Sequence, residues 1–413
     1  MFIQSIIGLA VFILAAAAIS ENRKKISFPL VLTALGLQLI IGFVFLKSQM
    51  IRQVFLYLNK LVLAVESATG DGTSMVFSYL GGGPLPFKEP YPGAAFILAF
   101  RALPIILVIS ALSALLFYWG IIPVIVRFFS YMLQKTLKTG GVEGIGVSAN
   151  IFVGMVESPL FIKPYLNSIT RSELFTIMTC GMATIAGTVM VLYSSILSAS
   201  IPGILGHILT ASIISAPAAI LISKVMIPET EPVTGGSIKT DIDYKSSMDA
   251  VTKGTVQGVE LLINIVAMII VLVSLVSLVN MILGLFPAIL GETLTLQRIL
   301  GWIMAPVSWL MGIPWAESIT TGSLMGTKTI INEFIAFLDL ANLPDTALSE
   351  RSRVIISYAM CGFANPGSLG IMIGGMGAMA PKRRDEIISL GLRAIIAGTI
   401  ATCMTGAVAG LFL

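Results

Sequence analysis

Gly154-Met155-Val156-Glu157-Ser158-Pro159 and Ile331-Asn332-Glu333-Phe334 each set one carboxylate inside long apolar surroundings. Each is followed by a Cys-Gly-x-Ala segment, Cys180-Gly181-Met182-Ala183 in the first case and Cys361-Gly362-Phe363-Ala364 in the second. A carboxylate carried to the middle of a bilayer costs about 2.5 kcal/mol or more even on lenient insertion scales. Two of them at matching places read as a paired polar site.

The rest of the chain is that of a polytopic membrane protein. Of its 413 residues, 56% are hydrophobic and only 11% charged. Apolar runs over residues 2–19, 30–45, 94–116, 174–197, 203–222, 261–283 and 388–413 are each near the length of about 20 residues that a spanning helix needs. The first run has no basic region before it and no small-residue cleavage site, so it reads as a helix of the mature protein rather than a signal peptide. Cys180, Cys361 and Cys403 lie in apolar context without metal-ligand spacing and read as packing residues.

Net charge, +4, is concentrated in Arg23-Lys24-Lys25 and Lys382-Arg383-Arg384. Both clusters should face the cytoplasm, which requires an even number of crossings between them. With Met1 outside, about eight transmembrane helices and an outside C-terminus follow. Residues 124–138 and 296–310 mix apolar, basic and tryptophan positions in the manner of interfacial helices, and residues 51–65 form a third candidate. The polar stretch 228–253 reads as a loop joining two halves.

Within those halves an amphipathic helix, an acidic hairpin and a Cys-Gly helix recur in the same order. The first copy runs through Glu143, Glu157 and Cys180, the second through Glu317, Glu333 and Cys361. Residues 144–164 and 315–338 carry glycine, serine, asparagine and charge throughout and read as re-entrant hairpins. Gly181, Gly187, Pro366 and Gly367 interrupt the helices that follow, leaving backbone groups unpaired at membrane depth, which is tolerable only inside protein or beside a wet cavity. Duplication with broken helices is the signature of a secondary transporter, and the crossing count makes the first hairpin enter from the cytoplasm and the second from outside, so the repeats are inverted.

The expected fold is therefore all-α, with two re-entrant hairpins, interfacial helices and two discontinuous helices. Its expected parts are two N-terminal helices (1–50), an interfacial and a scaffold helix (51–120), a first repeat (121–225), a cytoplasmic loop (226–257), a long scaffold helix (258–285) and a second repeat (286–413).

The run Asn150-Ile151-Phe152-Val153-Gly154 with Glu157, the pieces Gly312-Ile313-Pro314-Trp315 and Asn332-Glu333-Phe334, and Cys361-Gly362-Phe363-Ala364-Asn365 with Ala380-Pro381-Lys382-Arg383-Arg384 resemble the concentrative nucleoside transporters over essentially the whole chain. The resemblance implies a homotrimer in the inner (plasma) membrane, each protomer moving a transport domain past a fixed scaffold and carrying a nucleoside with a cation. By position it places Glu333, Asn365 and Ser368 on the ribose, Met155, Val156 and Glu157 toward the base, and Val189 and Phe363 in the pocket wall. It places sodium at the side chains of Asn150 and Thr184 and the carbonyls of Val153, Thr184 and Ile185. Its partners are then nucleoside, sodium and the lipid bilayer, with no nucleic acid and no catalytic cofactor. Where the family commonly has Gly-Gln-Thr-Glu or Gly-Gln-Ser-Glu, this chain has Gly154-Met155-Val156-Glu157, which leaves the base preference open.

Read as residues, Glu333 can accept charge-assisted hydrogen bonds from vicinal hydroxyls worth about 1.5–3 kcal/mol each. The bland alternatives are an ion pair between Glu333 and Lys328, simple helix capping by Asn365 and Ser368, and a bracing role for Glu157. His207 reads as interfacial packing, and Glu143, Glu317 and Lys163 as structural. One positive charge moving inward down roughly 150 mV supplies about 3.5 kcal/mol, enough for one cation to drive accumulation. Proton coupling, transport of another ribosylated solute, a passive channel and an intramembrane carboxylate enzyme are the rivals. The last has no Ser/His pair, metal cluster or phosphate loop in its favour.

Overall fold

The computed structural model describes residues 2–89, 95–198, 200–236, 244–289, 291 and 293–413. Every regular element among them is helical: α1 (Phe2–Ala18), α2 (Phe28–Lys47), α3 (Gln49–Phe77), α4 (Leu98–Arg101), α5 (Ile105–Tyr118), α6 (Ile121–Leu137), α7 (Gly141–Asn150), α8 (Arg171–Ala183), α9 (Gly187–Leu197), α10 (Ile204–Met226), α11 (Ser247–Leu283), α12 (Leu296–Leu310), α13 (Trp315–Ile330), α14 (Glu333–Asn342), α15 (Glu350–Met360), α16 (Pro366–Met379) and α17 (Arg384–Phe412). Six segments are long and apolar enough to cross a bilayer: Phe28–Lys47, Leu98–Tyr118, Arg171–Leu197, Ile204–Met226, Ser247–Leu283 and Pro381–Phe412. The shorter apolar α1 is a further candidate, α15 and α16 flank the break at residues 361–365, and the helix count is consistent with the eight crossings expected.

Side-chain caps fix where these helices start. Ser27 accepts from the Leu30 amide ahead of Pro29, and Thr170 and Glu173 form a reciprocal capping box at the start of α8. Ser246 caps α11 by accepting from the Asp249 amide. This cap moves the start of the long scaffold helix from 258 to Ser247 and shortens the expected loop 226–257, because polar residues of the first turns stay helical once the orphan amides are satisfied. Residues 237–243 of that loop lie outside the described residues. The third interfacial candidate, 51–65, extends over the whole of α3.

Both basic clusters lie at one end of the molecule. Glu21, just before the first cluster, is ion-paired with Arg171 at 2.9 Å and with Arg393. Arg171 also reaches Glu386, which pairs with Arg383 of the second cluster at 2.7 Å. The base of the first hairpin is at this same end, where the Val142 amide donates to the Thr234 carbonyl and Lys224, near the end of α10, pairs with buried Glu143 at 2.9 Å.

The base of the second hairpin is at the other end, beside both chain termini. Gln4 donates to the Ile313 carbonyl, and Arg351 donates to the carbonyls of Gly312 and Gly410. Gly312 has φ +94°, which lets the chain turn from α12 into α13 at 118°. The hairpins therefore enter from opposite ends, as an inverted repeat demands.

The densest core is formed by α8, α10, α15 and α17, whose facing residues are almost wholly buried. In contrast α11 packs chiefly on α5 and buries only 6% of its most apolar window. Its outward face, including Val259, Ile263, Ile270 and Val271, is exposed hydrocarbon surface suited to lipid or to another protein.

Candidate functional site

The two hairpin tips and the two helix breaks converge on one cavity. Hairpin 1 is α7, a turn over residues 151–157 and a 3-10 segment Ser158–Tyr165; hairpin 2 is α13 and α14 joined at Ile331-Asn332. The cavity holds about 160 Å³, a space for one small solute rather than a polymer. Its wall includes Met155, Val156 and Glu157 from hairpin 1, Glu333 from hairpin 2, Val189 from α9, and Phe363, Asn365 and Ser368 from the second break.

Local chemistry explains why Glu333 points inward. Asn332 caps α14 by accepting from the Ile335 amide at 2.9 Å, so Glu333 becomes the first helical residue and its carboxylate sits at the helix N-terminus. The carboxylate is 5% exposed and held from two sides. Tyr193 donates to Oε1 at 2.7 Å and the Asn365 amide donates to Oε2 at 2.9 Å. Each oxygen keeps a further lone pair for a donor in the cavity.

Asn365 fills both the bland and the functional reading. Its Oδ1 caps α16 by accepting from the Ser368 amide at 2.8 Å, followed by Pro366 at the first helical position, while its Nδ2 serves Glu333. The expected alternative of an ion pair between Glu333 and Lys328 is absent among the described residues; Lys328 donates instead to Thr402 Oγ1 at 3.1 Å.

The first tip is arranged otherwise. Glu157 folds over its own hairpin, so that a Cβ at Gly154 would meet its Oε2 at 2.2 Å. The two apolar residues beside it knit the tip to the broken helices. Met155 lies against Gly181, where a Cβ would meet Met155 Cβ at 2.9 Å, and Val156 lies against Gly375 of α16, at 3.0 Å from a Cβ there.

Beneath that tip are Asn150 and the first break. Asn150 is 1% exposed, its Nδ2 donates to the Gly146 carbonyl at 3.2 Å, and its Oδ1 is buried without a hydrogen-bond partner. Thr184 Oγ1 lies 3.0 Å from the Asn150 carbonyl and 2.9 Å from the Cys180 carbonyl, and one proton serves only one of them at a time. Among the described residues the carbonyls of Val153, Thr184 and Ile185 accept no backbone hydrogen bond outside the helices. The turn and the break are tied by the Gly187 amide donating to the Phe152 carbonyl at 3.2 Å, an approach that a Cβ at Gly187 would block at 2.6 Å. An unpaired buried oxygen costs about 1–3 kcal/mol, so this set of neutral oxygens fits a hard monovalent cation.

Three family models match the chain: "Na+ dependent nucleoside transporter N-terminus" over residues 7–80, "Nucleoside recognition" over 99–200 and "Na+ dependent nucleoside transporter C-terminus" over 207–410. The nucleoside permease NupC of Helicobacter pylori is 33% identical across 99% of this chain and 97% of that protein. The chain belongs to the concentrative nucleoside transporter family. An uncharacterized transporter of Haemophilus influenzae is 38% identical over 100% of this chain and 98% of its own length. As a concentrative nucleoside transporter family member, the chain is a multi-pass membrane transporter and not an enzyme. Its structure matches that of CNTnw in an inward-facing substrate-bound state with TM-score 0.91 and 35% identity, covering 100% of this chain and 98% of that one. A doubly substituted CNTnw in an outward-facing state matches with TM-score 0.90 and 34% identity, covering 100% and 97%.

Two parts of this transporter's cavity escaped the sequence reading. Tyr193 follows Val189 by one helical turn on α9, a spacing that places both on one face. Leu261, Asn264, Ile265, Met268 and Leu272 of α11 form the opposite wall at helical spacing, with Asn264 the lone amide of that stripe. Among the residues read as structural, His207 Nδ1 lies 3.0 Å from the Tyr358 hydroxyl and Glu317 accepts from Ser349 at 3.0 Å.

Proposed function

We propose that this protein imports nucleosides across the inner membrane by sodium symport, with the hairpins and broken helices moving as a unit past a scaffold that includes α5 and α11. The observation that carries the reading is the Glu333 carboxylate, held by Tyr193 and Asn365 and open to the cavity. Vicinal ribose hydroxyls would donate to its free lone pairs, with Ser368 alongside and Phe363 and Val189 covering the sugar and base. Hairpin 1 would face the base with apolar Met155 and Val156, a surface that reads shape more than hydrogen-bonding edge.

Sodium would enter at Asn150 Oδ1, Thr184 Oγ1 and the carbonyls of Val153, Thr184 and Ile185. Because the Gly187–Phe152 bond joins the hairpin turn to the helix break, a cation there would brace the surface on which the base rests. The matching family model named for Na+ dependent nucleoside transport supports sodium coupling, and CNTnw structures facing inward and outward support alternating access. The exposed apolar face of α11 supports a homotrimer built on the scaffold.

The test is uptake of uridine and adenosine into proteoliposomes, with and without sodium across a range of pH. Uptake should require sodium and fall at least about tenfold for 2′- or 3′-deoxy analogues, since each removes a charge-assisted bond. Asn150→Ala should raise the sodium needed for half-maximal uptake. Full uptake in sodium-free buffer would remove sodium coupling in favour of protons, and equal uptake of deoxy analogues would remove the ribose assignment.

A further inference from the structure

Of the three asparagines that line the cavity, two are already engaged: Asn332 caps α14, and Asn365 serves both Glu333 and the cap of α16. The third, Asn264 of α11, is exposed, and its amide has no hydrogen-bond partner among the described residues. The same helix shows what a structural asparagine does. Asn280 donates to Gln297 Oε1 at 3.1 Å and accepts from the Leu296 amide at 2.8 Å, tying α11 to the start of α12. Asn264 makes no such tie, although a polar side chain in a helix of spanning hydrocarbon is costly and ordinarily marks a solute path.

Its position along α11 puts it on the base side of the cavity. The helix starts beside hairpin 1, where the Phe117 ring meets Phe161 of the 3-10 segment at 5.1 Å between centroids and Tyr244, just ahead of α11, at 6.1 Å. Farther along, Met268 reaches the second break, its Cε 3.2 Å from where a Cβ at Gly367 would be. That break carries Asn365 and Ser368, assigned above to the ribose. Asn264 precedes Met268 by one helical turn, about 6 Å, and so lies displaced from the sugar toward hairpin 1. Hairpin 1 itself offers little to a base edge, because Met155 and Val156 are apolar and Glu157 is folded over Gly154.

We propose that Asn264 reads the base, its amide pairing with a donor and an adjacent acceptor on the base edge; this rests on the nucleoside reading above. Uracil carries N3–H beside O4, cytosine N4–H beside N3, adenine N6–H beside N1, and guanine N1–H beside O6. A carboxamide holds an acceptor and a donor side by side, and a half-turn of its plane reverses their order. Purine and pyrimidine nucleosides are therefore both accepted, and those whose edge is alkylated or stripped of its donor are refused, because a group of the pair is then left unmatched. The neutral bonds replace bonds to water at small net gain, so Asn264 selects the base while the charge-assisted bonds of Glu333 hold the sugar.

The experiment is calorimetry of the purified protein in sodium buffer with uridine, N3-methyluridine, adenosine and purine riboside, which is adenosine without its amino group. Wild type should bind each altered analogue at least about tenfold more weakly than its parent. Asn264→Leu should lower uridine and adenosine to the affinity of their analogues, so that both ratios fall to about 1. Asn264→Gln keeps the amide and should restore part of each ratio. A side chain that merely shapes the wall would shift all four affinities together and leave the ratios as they are.

Ratios preserved in Asn264→Leu would overturn the proposal, as would ratios lost in Thr188→Val, at the cavity wall on α9, and not in Asn264→Leu. A wild type that binds the altered analogues as well as their parents would also overturn it, and that measurement needs no variant to fold. It would leave the ribose assignment standing. A wild type that binds neither uridine nor adenosine would instead remove the nucleoside reading, and the proposal with it.

Discussion

At the tip of hairpin 2 the Glu333 carboxylate is gripped by side chains from two other helices, whereas at the tip of hairpin 1 the Glu157 carboxylate lies over its own Gly154 and its apolar neighbours make the outward contacts. A carboxylate fixed by Tyr193 and Asn365 is preorganised for a directional partner, because its position is set before the partner arrives. A carboxylate folded on its own backbone is committed to shaping the turn. Duplication supplied two copies of one motif, and the surroundings divided the labour between them.

The difference can be tested by removing the same charge at both tips. Glu333→Gln should lower uridine uptake about 100-fold or more, since it weakens charge-assisted bonds to Tyr193, Asn365 and the solute together. Glu157→Gln should cost only a few-fold, because the amide can still occupy the space over Gly154. Equal losses in the two variants, measured as initial uptake rates at matched expression, would break the contrast.

A smaller effect is expected from giving hairpin 1 polar side chains. Met155→Gln with Val156→Thr should change the ratio of purine to pyrimidine uptake by about 2–10-fold, the worth of one neutral hydrogen bond in each direction. Competition of unlabelled nucleosides against radioactive uridine reads this ratio. An unchanged ratio would place the base elsewhere than the hairpin 1 tip.

The smallest effect concerns the end that carries both basic clusters, away from both tips. Arg171, hydrogen-bonded to Glu21, holds that carboxyl below the ordinary carboxylate range, with Arg393 adding to it. The stabilisation is fully present above the ordinary carboxylate pKa and is lost as pH falls through the lowered folded value. Because the pair is partly exposed, its worth is at most about 1 kcal/mol. Glu21→Gln should therefore lower the melting temperature slightly at pH 7 and converge with wild type once the pH falls below the lowered folded value, as followed by thermal unfolding in detergent.

The fold was legible because its strongest constraints are written locally. Apolar runs of spanning length, two basic clusters and a duplicated order of motifs determine crossings and inverted orientation, and the ion network joining Glu21, Arg171, Glu386 and Arg383 places both clusters at one end. The start of α11 was hidden because Ser246 and Asp249 look like loop residues until the cap is seen. At the site, residues inside the two motifs were visible from their breaks and charges. Tyr193 was not, since an aromatic residue in an apolar helix carries no local sign that its hydroxyl faces a carboxylate 140 positions away. The α11 wall was hidden for the same reason, with only Asn264 interrupting its hydrocarbon.

That wall has a consequence for what happens after binding. Leu261, Ile265, Met268 and Leu272 offer a passing solute soft, non-directional contact, and Asn264 alone can hydrogen-bond. If the hairpins carry their cargo along α11, the helix behaves as a bearing: smooth enough that grip stays with the moving part, and close enough to keep the cargo from slipping out sideways.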